Sequence, residues 1–164
     1  MSGRCPPLIQ ELHVKIEMLS TGDEVLYGQI TDTNASWLAE TLFSQGLVMT
    51  HRSTVGDSLD SLVEELTQRS QVADVLIVNG GLGPTSDDLS ALAAATACGV
   101  PLEMNLQWLA HIEDFFIQRG QPMAPQNRKQ AEIPQSAEMI DNRAGTACGF
   151  SVILNGCRIF FTPG

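Results

Sequence analysis

The chain has 164 residues, 43% of them hydrophobic, which suits one domain with a sizeable core. Its formal net charge of -10, from 19 acids against 9 Lys and Arg, argues against nucleic acid, because that affinity depends on neutralising phosphates with many basic side chains. A phosphorylated ligand would need local help from backbone amides, a divalent metal or a few basic residues placed in one spot. Cys5, Cys98, Cys148 and Cys157 form no C-x-x-C pair, and His13, His51 and His111 add no zinc-ligand spacing. Reduced thiols in a cytoplasm are expected. The opening "MSGRCPPLIQELHVKIEML" lacks a signal-peptide core, and no segment is apolar over the roughly 18 residues of a membrane span.

The apolar run Val14 to Leu19 reads as a first strand, followed by a helix from about Asn34 to Gly46 with Ala35, Leu38, Ala39 and Leu42 on one face. "LVMTHRSTV" reads as a second strand. Asp57 then stands where an N-cap is needed for a helix striped by Leu59, Leu62, Val63 and Leu66. "ADVLIVNGG" has the continuous apolar core of a strand covered on both faces. A helix with Leu89, Leu92, Ala93 and Thr96 on its stripe follows and stops at Gly99. This strand–helix alternation predicts an α/β fold with right-handed parallel crossovers.

A longer helix is expected from Asn105 to Arg119, with Leu109, Ile112 and Phe116 inward. Residues 120–149 are broken by prolines, glycines and polar turn formers, and such a stretch inside one domain is more often functional than idle. Asn155-Gly156 between two apolar runs marks a hairpin, so an antiparallel pair should edge the mostly parallel sheet. The chain stops at "TPG" directly after a strand, as a piece of something longer would.

Three acid-bearing loops follow the first three strands: "STGDE" (Ser20 to Glu24), "VGD" (Val55 to Asp57) and "GGLGPTSDD" (Gly80 to Asp88). In a parallel sheet they open on one side, where ligands of open α/β sheets bind. The third loop fails the G-x-G-x-x-G pattern because residue 86 is serine, and no Walker-type loop exists. Glycines still let backbone amides approach an anion closely. Asp87 and Asp88 would repel phosphate unless a cation such as Mg²⁺ intervened, with Asp23 a further ligand. The plainer alternative makes this loop a tight turn whose aspartates cap a helix, with Asp32 or Asn34 capping the earlier one. Arg128 and Lys129 are candidates to clamp a phosphate.

"STGDEVLYGQITDTN", "TVGD", "VNGGLGPTSDD", "NRKQAEIP" and "GTACGF" together resemble the molybdopterin-binding-like domain at the N-terminus of competence/damage-inducible CinA-type proteins, over nearly all of the chain from Val14. Residues 1–13 then read as an extension and 14–164 as the domain, truncated at its end. The resemblance implies a three-layer α/β/α sandwich that forms homo-oligomers, dimeric or trimeric. It also implies catalytic roles for Asp57 and Asp88. In adenylyltransferases of molybdenum cofactor biosynthesis, the loop matching Gly80, Gly81 and Gly83 holds a pterin phosphate. In CinA-type proteins the domain is linked to metal-dependent hydrolysis of ADP-ribose at its pyrophosphate.

The ligand-binding set expected on these grounds is Thr21, Gly22, Asp23, Glu24, Asn34, Gly80, Gly81, Gly83, Pro84, Thr85, Arg128, Lys129, Asn142, Gly145 and Thr146. Leu82 stands where the adenylyltransferases typically have threonine, which favours the CinA branch. The family continues past "TPG", in many members to a nicotinamide mononucleotide amidohydrolase domain that this sequence lacks. The leading expectation is a metal-dependent nucleotide pyrophosphatase. The alternatives are a non-catalytic pterin- or nucleotide-binding and assembly module, and a molybdopterin adenylyltransferase.

Overall fold

The structure, a computed structural model, describes residues 14–164; the N-terminal segment 1–13 lies outside the described residues. One six-stranded sheet runs in the order β2-β1-β3-β8-β7-β6. Its parallel part comprises β1 (Ile16–Thr21), β2 (Met49–Val55), β3 (Val75–Asn79) and β8 (Cys157–Thr162), while β7 (Gly149–Leu154) and β6 (Glu138–Ile140) are antiparallel. The hairpin turns at Asn155 and Gly156, both with positive φ (51° and 84°), as a two-residue turn matched to strand twist requires. The expected edge pair is corrected in one respect. β8 pairs with β3 inside the sheet, so the edge is formed by β6, a strand hidden in the irregular stretch.

Helix α1 (Asp23–Leu26) is a single turn, and α2 (Thr33–Ser44) lies on one face of the sheet. Helices α3 (Leu59–Ser70), α4 (Ser90–Cys98) and α5 (Leu106–Gln118) lie on the other. The second face holds the core: Leu19, Leu76, Val78, Ile159, Phe161, Phe150 and Val152 from the strands meet Leu62, Leu66, Ala93, Trp108 and Ile112 from the helices. Three predicted stripes need adjustment. Of the α4 set only Ala93 is fully buried, because Ala93, Ala94 and Ala95 form the close-packed side and leave Leu92 exposed. In α5 the flanking Trp108 is more buried than Leu109. In α2 only Ala35 is buried, and Trp37 (66% exposed) and Phe43 (73% exposed) stand in solvent. The α2 layer is therefore thin, and Ile153 on the same sheet face is also exposed.

Residues 120–149 are more regular than their composition suggests. They hold a 3-10 helix (Pro125–Ala131), β5 (Glu132–Pro134) and β6, and β5 pairs with β4 (Leu102–Met104) in a small second sheet. Strands of three residues carry too little periodicity to be read from sequence.

At the opposite end of β1 from the three loops, Glu17 is buried and its carboxylate lies 3.3 Å from Arg69 on α3. Removing one partner of a buried pair strands the other charge away from water. Arg69→Met is expected to cost about 3 kcal/mol, or roughly 6–12 °C in Tm for a domain of this size. Glu17→Met with Arg69→Met should recover most of that loss. Thermal denaturation of the single and double variants checks this; equal losses in both would show that the pair contributes through packing alone.

Candidate functional site

Strand order places β1 between β2 and β3, so the chain leaves β1 toward one neighbour and returns on its other side. Such a switch point opens a crevice beyond the carboxyl ends of the strands. Here the crevice measures about 450 Å³ and is lined by Thr21, Gly22 and Glu24 after β1, Asp57 after β2, and Asn79 to Gly83 with Asp87 and Asp88 after β3. The three acid-bearing loops therefore converge as their parallel strands require.

The bend Gly80 to Asp88 is built so that its carbonyls are engaged by protein. Gly80 O accepts the Ser90 hydroxyl (2.8 Å), Gly81 O accepts the Ser90 amide (3.1 Å), and Leu82 O accepts Gln130 Nε2 (3.5 Å). Lys129 Nζ donates to both Thr85 O and Asp88 O, the latter at 2.7 Å. Leu82 packs into the core as the anchor of the loop. The N–H groups of Gly81, Leu82 and Gly83 have no protein acceptor among the described residues, and all three residues line the crevice. Gly80 (φ 106°) and Gly81 (φ 68°) supply the backbone angles this course demands. Such a row of unbonded amides attracts anions.

The acids are differently placed from their sequence readings. Asp57 is not the cap of α3; that role belongs to Ser58, whose side chain accepts from the Ser61 amide. Asp57 instead exchanges bonds with Asp23. Its Oδ2 accepts the Asp23 amide (3.2 Å), and Asp23 Oδ1 accepts the Asp57 amide (3.1 Å). Gly56 leaves room for that carboxylate, since a Cβ there would collide with Asp23 Oδ1. Burial pushes the Asp57 carboxyl above its ordinary value, and the nearby charges of Asp23, Glu24 and Asp87 add to this against the opposing backbone bond from Asp23.

Asp87 and Asp88 do not cap α4 either, whose N-cap position is Leu89 with no side-chain bond. Asp88 Oδ2 accepts the amide (2.8 Å) and hydroxyl (2.5 Å) of Thr85, closing the bend on itself. Asp87 is fully exposed, and the neighbouring Thr85 hydroxyl, its own backbone amide and the Lys129 charge hold its carboxyl below the usual value.

Other expected residues serve the scaffold. Arg128 pairs loosely with Glu113 (3.9 Å), and Lys129 is occupied by loop carbonyls, so neither lines the crevice as a clamp. Asn142 bonds within its own turn to Ala144 N and Ala147 O. Thr146 O is held by Trp108 Nε1 (3.0 Å), and Gly145 O lies 3.3 Å from His111 Nε2. Of that stretch only Ala147 lines the crevice. Pro84 and Thr85 belong to the bend but lie off the crevice wall. Asn34 lines it while donating to Asn79 Oδ1 (3.0 Å), and Asp32 caps α2 and accepts from Ser20 at 2.5 Å. The expected metal ligands Asp23, Asp87 and Asp88 do not form a ready cation site: among the described residues, no three His, Cys, Asp or Glu side chains converge on one.

Residues missed from sequence include Asn79, which ties the end of β3 to Thr162 and Pro163, and Gln130 and Ser90 behind the bend. A polar residue closing the apolar run "VLIVN" was the available signal for Asn79.

This geometry, a parallel sheet with a glycine bend at its switch point, is that of molybdopterin-binding-like domains. The family model described as "Probable molybdopterin binding domain" matches residues 17–164. CinA-like proteins of Shigella flexneri and Escherichia coli O9:H4 are 68% and 67% identical over 151 residues, 92% of this chain and 38% of each relative. The chain thus spans well under half of those relatives. Among solved structures, CinA from Thermoplasma acidophilum superposes with TM-score 0.81 at 31% identity, covering 92% of this chain and 88% of that one. MoaB from Thermus thermophilus, a molybdopterin biosynthesis enzyme, shares the fold with TM-score 0.58 at 16% identity, over 92% and 81% of the two chains. The chain belongs to the CinA branch of the molybdopterin-binding-domain family.

Lys129 is here a positioning residue. Two bonds from one ammonium are worth about 1.5–3 kcal/mol each, so Lys129→Met should speed hydrogen exchange at the bonded amides of the bend, Thr85 and Ser90, at least ~10-fold. Lys129→Arg should retain much of the protection. Exchange measured without ligand checks this, and an unchanged rate in the methionine variant would return Lys129 to the role of a free clamp.

Proposed function

We propose that the crevice binds ADP-ribose or a related nucleotide diphosphate and hydrolyses its pyrophosphate bond. The observation that carries this reading is the row of amides at Gly81, Leu82 and Gly83, without an acceptor among the described residues and bordering a crevice large enough for a small ligand. Phosphoryl oxygens would accept from these amides. Water would attack one phosphorus, and the bridging P–O bond would break to give AMP and ribose 5-phosphate. Asp57 is the base suited to take the proton of that water. Its raised pKa makes it a better acceptor than an ordinary carboxylate, and no donor among the described residues occupies its Oδ1. A divalent cation such as Mg²⁺ belongs to this reading as counter-charge for the diphosphate.

A second reading, a module that binds a phosphorylated pterin or nucleotide without turnover, draws on the engagement of Asp88. Its carboxylate closes the bend rather than standing free for chemistry. Adenylylation of molybdopterin is less well supported, since Leu82 is buried in the core. Under either reading the domain works as a homo-oligomer, with Trp37 and Phe43 of α2 available to a second copy. Sedimentation velocity should give a mass above that of one chain; a monomer at all concentrations would remove this part.

Phosphorus NMR of the protein with ADP-ribose, with and without Mg²⁺, should show AMP and ribose 5-phosphate with the metal. A pyrophosphate signal unchanged under every divalent metal overturns hydrolysis and leaves the binding module. Asp57→Asn should slow turnover at least ~100-fold. The same variant should raise Tm near neutral pH. A carboxyl whose folded pKa is raised gives its full stability below the unfolded value of 3.8 and loses it as pH rises through the folded pKa. The amide avoids that loss, so the Tm advantage should shrink in acid.

A further inference from the structure

The crevice carries two opposed electrostatic features. One wall offers the amides of Gly81 to Gly83, and Thr21 lines the same crevice, 5% exposed; none of these amides nor Thr21 Oγ1 has a hydrogen-bond partner among the described residues. Both call for acceptor oxygens. The rim carries the carboxylates of Glu24, Asp32, Asp57, Asp87 and Asp88, and no Lys, Arg or His among the described residues lines the crevice. Lys129 is held away from the crevice, donating to the Thr85 and Asp88 carbonyls of the bend. A bare diphosphate would meet its amide donors and five like charges together.

A resident metal does not resolve this. Asp88 Oδ2, Asp23 Oδ1 and Asp57 Oδ2 are each bonded to a backbone amide, and the acids do not converge as a metal-binding group among the described residues. Mg²⁺ is more often held by one or two carboxylates together with substrate phosphates than by an all-protein cage.

We infer that the protein recognises a diphosphate as its divalent-cation complex, with the cation carried in on the ligand and no metal bound beforehand. The amides and Thr21 face the phosphoryl oxygens of the chelate, and the acidic rim faces its cation. The rim is then a selectivity device: it rejects the uncomplexed diphosphate and accepts the complex, whose charge the cation has largely cancelled. This inference rests on the diphosphate reading of the crevice.

The test uses the 164-residue chain and a methylene-bridged ADP-ribose analogue that cannot be hydrolysed. Mn²⁺ alone, followed by electron paramagnetic resonance, should remain free in the presence of protein. The analogue in EDTA should show no heat of binding, and the analogue with Mn²⁺ should bind one to one, at least ~100-fold more tightly than without it. Asp87→Asn, which changes an exposed rim charge, should narrow that ratio several-fold. Stoichiometric binding of Mn²⁺ alone overturns the inference while leaving the diphosphate reading intact. Equal affinity with and without metal does the same. Failure of the analogue to bind under any condition overturns both.

Discussion

Behind the bend at Gly80 to Asp88, the carbonyls of five of its residues are taken up by Ser90, Gln130 and Lys129. A peptide chain whose carbonyls are engaged on one side has its amides left for the other. That orientation gives the crevice its anion-attracting wall, since the amides of Gly81, Leu82 and Gly83 have no protein acceptor among the described residues. The 3-10 helix Pro125–Ala131 supports the bend from behind through Lys129 and Gln130. Its cation neutralises carbonyl dipoles, and Leu82 fixes the loop by burial.

Charge sets a second constraint. Acids from three loops are brought to one edge because parallel strands end there together, and their mutual repulsion is part of what raises the Asp57 pKa. The exchange of amide bonds between Asp23 and Asp57 offsets some of this and fixes both loops relative to each other. Crowding like charges at one edge makes the ionised form of Asp57 harder to hold.

The two faces of the sheet are unequal. Helices α3, α4 and α5 bury one face, whereas α2 leaves Trp37 and Phe43 in water. This asymmetry accompanies a chain that spans 38% of its CinA-like relatives. The crevice draws on both parts: the loops after β1, β2 and β3 form most of its wall, and Thr33 and Asn34 of α2, Ala147, Pro163 and Gly164 complete it.

Periodicity sufficed for the α/β alternation, for the hairpin at Asn155-Gly156, and for the convergence of three loops, because each follows from local patterns and from the rule that parallel strands end on one side. The family was legible in the same loops, since "GGLGPTSDD" and "NRKQAEIP" are specific strings. Apart from the Asp32 cap of α2, the partners of polar side chains were not legible. Asp57, Asp87 and Asp88 looked like helix caps, Arg128 and Lys129 like phosphate clamps, and Asn142, Gly145 and Thr146 like ligand contacts, yet each is engaged or displaced otherwise in the fold. Nor were β4, β5 and β6, whose three residues each hold too little pattern. A short sequence window records which groups can form hydrogen bonds; only tertiary structure decides between a nearby carbonyl and one 41 or 44 residues away, as in the bonds that Lys129 donates to Asp88 O and Thr85 O.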